Sequence, residues 1–305
     1  MCQPGARLAT VRQAVSGAAR APRAAPHPAW QDGARADDAP MRTLRLAWLL
    51  FLTVLKRRLA YRGDLLLAAL DELMRGLLAL AMLEIYLSKS PTLAAWTQHE
   101  LLFVLGFSMV PISLFHTFCG NLYQLSNTYI IQGNLDRVLL RPYPTFLQIC
   151  FDRIAIEDLS GVVFGAVLML SAALRVPGFD FGPLHLAQLA LLMLSSFGVV
   201  VAVFMAFAAS GFWFEDRVGM VPPVYNLMEF GRWPTRIFHP ALRLLITCVI
   251  PFSFVAFYPA GWLVRGGDGE PALVAACTPL VALVSLVVAN AMWAAGIRRY
   301  HSTGS

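Results

Sequence analysis

The residues best placed to do chemistry in this sequence are ionisable groups inside apolar runs. Asp71, Glu72 and Arg75 interrupt one such run, and Glu84 lies further along it. Residues four apart share a helix face, so Asp71 and Arg75 can pair, while Glu84 falls nearly opposite. Charges at membrane depth are costly and tend to face a bundle interior or water. These four therefore read as the lining of a translocation path. The competing readings are a structural ion pair and charges reaching out to the headgroups. Asp152, Arg153, Glu157 and Asp158 form a second cluster. If Asp71, Glu84 or Glu157 carried protons or sodium, the chain would be an ion-coupled secondary transporter. That alternative lacks an inverted repeat or a matched pair of Gly/Pro-interrupted spans.

Enzyme chemistry finds no support. The histidines (His27, His99, His116, His185, His239 and His301) include no H-E-x-x-H pair, so no zincin site is expected. There is no G-x-S-x-G nucleophile elbow and no G-x-x-x-x-G-K-[ST] loop, so this chain does not hydrolyse nucleotide through a P-loop of its own. Cys2, Cys119, Cys150, Cys248 and Cys277 contain no C-x-x-C, and they read as small apolar residues rather than disulfide or metal ligands.

Two polar stretches between apolar runs are patterned. Residues 129–146 read YIIQGNLDRVLLRPYPTF. Gly133 should break the preceding helix, and Asn134 can cap a short amphipathic one ending before Pro142. Leu135, Val138 and Leu139 would share a side, with Asp136 and Arg137 on another. So short a helix is unstable alone, so it is either a docking element or a connector. Residues 214–243 mix charges with four prolines and with Tyr225, Phe230 and Trp233. A connection that long is usually functional or interfacial.

The elements that must position these groups follow from composition. Apolar residues make up 58% of 305 and charged residues 14%, against about 45–50% and 25% in soluble chains. Mean hydropathy is +0.62. This excludes a soluble fold with a charged surface, and the net charge of +6 is too small for a nucleic-acid binder. The expected fold is an all-α polytopic membrane protein. Six spans are predicted at about 65–87, 101–123, 147–174, 186–212, 242–264 and 272–296, each near the roughly 20 residues a bilayer needs. Gly161 and Gly165 make a G-x-x-x-G in the third, a signature of close helix packing. Residues 41–64, apolar then basic, suit a cytoplasmic interfacial helix, with Gly63 and Asp64 as a break before the first span. Residues 1–40 are rich in Ala, Arg and Pro, and read as a disordered leader or as an early-assigned start before Met41. The six-span domain covers 65–300, with a tail at 301–305. Fourteen Lys/Arg fall on the side holding both ends and the two long loops, against Lys89, Arg175 and Arg265 opposite. That asymmetry places both termini in the cytoplasm.

From Met41 to Tyr300 the order of features resembles a known family: the basic interfacial segment, six spans, GNLDRVLLRP at 133–142, GRWP at 231–234, then VIPFSFVAFYPAGWLV at 249–264. The chain resembles the permease subunits of type-2 (ABC-2-like) exporters, and more narrowly a bacterial subfamily of uncharacterised ABC-2-like permeases. The resemblance implies a permease subunit of an ATP-driven exporter in the bacterial inner membrane, with six helices after an interfacial connecting helix. It implies a second permease subunit, identical or related, and a separate cytoplasmic ABC ATPase that holds the ATP and Mg. No cofactor is expected in this chain, and no nucleic-acid partner. The coupling element would be Gly133, Asn134, Leu135, Asp136, Arg137, Leu140, Arg141 and Pro142. Glu229, Gly231, Arg232 and Pro234 would belong to the second cytoplasmic loop.

Overall fold

The computed structural model describes residues 62–89, 95–214, 221–266 and 272–300. The leader, most of the interfacial segment and the tail lie outside the described residues. Helix α1 spans Arg62–Lys89. It already runs through Gly63 and Asp64, so the expected break is not at those two residues. With 28 residues it is about 42 Å long, enough to cross a bilayer. Its internal charges set it apart from the more apolar helices.

Helix α2, Gln98–Cys119, continues through a 3₁₀ turn (Gly120–Gln124) into a π-helical stretch, Leu125–Ile131. Short α3 (Leu135–Leu139) and α4 (Thr145–Asp152) follow, then a 3₁₀ turn at Ile156–Asp158 leading into α5, Leu159–Ala173. Helix α6 is Pro183–Ala209 and α7 is Val221–Met228. Helix α8 is Pro240–Leu244, α9 is Phe257–Arg265, α10 is Ala272–Ala276 and α11 is Thr278–Arg299.

Among the described residues, four stretches are long and apolar enough to cross a membrane: Gln98–Ile131, Ile156–Ala173, Pro183–Phe212 and Thr278–Arg299. A bent pair, Pro240–Val249 and Phe252–Arg265, meets the same standard only jointly, with a 68° angle between its halves. Each of the six expected spans falls on helical segments, but α1 does not meet that standard, so four or five are supported as spans; the third, fifth and sixth are interrupted, the sixth only at Cys277. The third expected span, 147–174, is α4 and α5 separated at Arg153–Ala155. Ile154 is buried there, and the Ala155 N–H donates to the Thr117 carbonyl of α2 at 3.0 Å. That cross-helix bond satisfies a backbone group that the break would otherwise leave bare.

The fifth span breaks for a covalent reason. Pro251 has no N–H to donate and clashes with a continuing helix. Ile250 turns extended, and a 3₁₀ turn, Phe252–Phe254, follows. Irregular backbone at membrane depth survives only when buried in protein. Residues 252–260 are all buried, and the Ser196 hydroxyl of α6 donates to the Phe254 carbonyl at 3.2 Å.

Packing of α2 against α5 uses glycine as its contact surface. A Cβ on Gly106 would lie 2.5 Å from the Met169 nitrogen, and one on Gly165 would lie 2.9 Å from the Gly106 carbonyl. Beside this contact runs an aromatic core. Phe115 stacks on Phe204 with centroids 4.5 Å apart, and Tyr123, Tyr225 and Phe252 surround Phe204. Phe115 and Phe204 are fully buried.

Candidate functional site

The first site is the projection between the π-helical end of α2 and α4. Gly133 takes φ +71°, a left-handed conformation that turns the chain sharply. Asn134 does not cap α3 through its side chain. Its amide donates instead to the Thr128 carbonyl at 2.8 Å, tying the turn back to α2's extension. Leu135 is fully buried and Val138 nearly so, and these two seat α3. Leu139 differs from expectation: it is 40% exposed, and Leu140 just past the helix is 86% exposed. A five-residue helix has little more than one turn, so only two of its apolar side chains reach the bundle. Arg137, Arg141 and Pro142 are also exposed. An apolar residue flanked by two arginines is thus held outward on a rigid base.

That base is braced from three directions. Tyr129 donates its hydroxyl to the Asp152 carboxylate at 2.7 Å. Asn121 bonds to the same hydroxyl at 2.6 Å and to the Ile149 carbonyl at 2.8 Å. Together they tie α2's extension to α4. Tyr300, after the last helix, lies beside Asp136, and burial together with that carboxylate pushes its phenol pKa upward. Asp152, expected in a cluster of intramembrane acids, is a strut of this base.

The second site joins residues that sequence spacing kept apart. Glu229 and Arg232 pair at 3.0 Å in the 3₁₀ turn Glu229–Arg232. This stretch is not a loose loop: Val221, Val224, Met228, Gly231, Pro234 and Thr235 are buried. A Cβ on Gly231 would lie 2.4 Å from the Phe252 carbonyl oxygen, so the backbone itself is seated on the broken span. Trp233 meets Tyr86 of α1 edge-on at 5.7 Å, and Tyr225 packs 5.5 Å from His116 of α2. Between α1, α2 and this segment lies a cavity of about 460 Å³. Arg75, His116, Glu229 and Arg232 line it together with Met82, Leu105 and Met109.

Of the expected path residues whose side chains are described, Arg75 alone lines this cavity, and it pairs with Asp71 at 2.9 Å. Glu84 accepts a hydrogen bond from the Gln98 amide at the start of α2. The side chain of Glu72 lies outside the described residues. Asp71 and Glu84 thus each have a protein partner.

Sequence reasoning missed a third arrangement, at the opposite end of α2 from the projection. Arg265 grips Glu100 through Nε and Nη2, both at 2.6 Å, and donates to the Ala95 carbonyl at 2.7 Å. Its guanidinium also lies 3.9 Å over the Trp96 ring. Ala95 holds φ +68°, a strained conformation for an L-residue. A T-x-x-E capping box at Thr97–Glu100 was legible, but its distant arginine was not.

A family model described as ABC-2 family transporter protein matches residues 73–304. No curated protein and no solved structure matches the chain.

Proposed function

The chain belongs to the ABC-2 family of transporter proteins, and from that premise we propose that it is the permease subunit of an ATP-driven exporter of the bacterial inner membrane. Its partner would be a separate cytoplasmic ABC ATPase holding ATP and Mg, and a second permease, identical or related, would complete the path. The observation that carries this reading is the 133–142 projection. Leu135 and Val138 anchor it, while Leu140, Arg137 and Arg141 face outward. A rigid base with an exposed apolar tip and flanking charge suits a lever moved by a partner. The Lys/Arg asymmetry supports placing this projection and both termini in the cytoplasm. Export, rather than import, rests on the family.

The test begins with affinity purification of the tagged chain from its native membrane. An ATPase chain should co-purify, and the complex in nanodiscs should show vanadate-sensitive hydrolysis. Arg137→Glu with Arg141→Glu, and separately Leu140→Asp, should release the ATPase or uncouple hydrolysis from transport. Full binding and coupling in both variants would refute the assignment of this projection.

A further inference from the structure

The cavity between α1, α2 and the 221–233 segment has a mixed lining. Its ionisable side chains are Arg75, His116, Glu229 and Arg232, with Arg232 next to the Trp233 that meets Tyr86. Its apolar side chains include Leu78, Ala79 and Met82 of α1 and Leu105, Met109 and Ile112 of α2. From Leu78 to Tyr86 this wall runs about 12 Å by helix rise. The volume of about 460 Å³ falls among small-molecule sites, typically about 300–1,000 Å³.

The polar lining is incompletely satisfied. The Arg232 side chain is only 13% exposed, and Glu229 engages its Nη2 at 3.0 Å. Its Nε is buried with no acceptor. A guanidinium stays charged at any physiological pH and can only donate. A buried donor left unpaired calls for a missing acceptor. Gly231 holds this arginine in place, since its backbone sits directly on Phe252. Trp233 and Tyr86 close one side with an edge-on contact.

We propose that this cavity binds a single-chain amphiphile with an anionic head, the head on Arg232 and the alkyl chain between α1 and α2. The head is a phosphate or carboxylate, either of which fits the fork of a guanidinium. Arg75, already paired with Asp71, adds a second positive charge to the lining. The proposal deepens the transport reading by naming a class of cargo, but binding does not depend on an ATPase.

The purified chain alone, in nanodiscs, is therefore the right sample. Dodecyl phosphate with a terminal diazirine is added from solution in one arm. In the other, a diazirine-bearing lysophosphatidate is built into the bilayer. The two arms separate a soluble amphiphile from a membrane lipid as the source of the same chemistry. Labelling should fall on peptides containing Met82 or Met109 in at least one arm. Excess unlabelled dodecyl phosphate should compete, and dodecyl trimethylammonium should not. Arg232→Gln should weaken labelling about tenfold, the scale of one charge-assisted hydrogen bond. Ala79→Trp, which fills the cavity from its apolar wall and leaves Arg232 untouched, should weaken it comparably in protein that still runs as a single species on gel filtration. Equal competition by the cationic amphiphile, labelling indifferent to both substitutions, or no labelling in either arm would overturn the proposal. A failure of the ATPase experiments would leave this result standing.

Discussion

Replacing Gly106 with alanine tests the α2–α5 contact most directly. The new Cβ would lie 2.5 Å from the Met169 nitrogen, 2.8 Å from the Gly165 carbonyl oxygen and 2.9 Å from the Met169 Cα. All three are backbone atoms, so no side-chain rotation relieves the overlap. Reaching ordinary contact, which begins at 3.4 Å, requires the helices to part by about 0.9 Å locally. A gap of about 0.5–1 Å forfeits roughly a quarter to a half of each neighbouring dispersion contact. Between membrane helices such contacts are the main source of association. Overpacking of this kind costs about 1–3 kcal/mol. Alanine recovers only about 0.5–1 kcal/mol of helix propensity. Destabilisation wins, and the melting temperature in detergent should fall by about 2–4 °C for each kcal/mol lost. Gly120→Ala is the matched control. Gly120 has φ −57° and nothing within 4 Å of a built Cβ, so that variant should be neutral or stabilised. A Gly106→Ala protein that melts at or above the Gly120→Ala protein would refute the reasoning.

Two further outcomes follow from the struts at the ends of α2. Arg265→Ala should destabilise by about 3 kcal/mol, because Glu100, only 13% exposed, would lose its counter-charge. Pairing it with Glu100→Gln should recover part of that loss in a double-mutant cycle; additive losses by thermal melting would contradict the coupling. Tyr129→Phe removes the hydroxyl shared by Asn121 and Asp152, at a cost of about 1–2 kcal/mol. Trypsin should then cut faster after the exposed Arg137, and unchanged cleavage kinetics would mean that the hydroxyl does not brace the projection.

What the residue order determined on its own is whatever repeats locally. Apolar runs of bilayer length mark the spans, because burying twenty apolar residues leaves a trace in every window. The Asp71–Arg75 pair and the turn at Gly133 were legible because each depends on neighbours within one helical turn. The family resemblance carried by residues 133–142 and 231–234 was equally a matter of local order, and the family model spans both. Tertiary structure decided what depends on distant partners. The break at Ile154 lies among charged residues whose spacing does not mark it; the bond from Ala155 to Thr117 supplies the backbone partner that a continuous helix would have provided. Nothing in the spacing of Asn134 shows that its amide turns back to Thr128 instead of capping α3. Arg265 and Glu100 meet across 165 residues, and Arg75 shares a cavity with Arg232 only because 221–235 folds inward onto the broken fifth span. Periodicity records which face of a helix is buried, but not which helix buries it. The ionisable lining of the cavity is assembled by that second choice, from charges that the sequence keeps on separate elements.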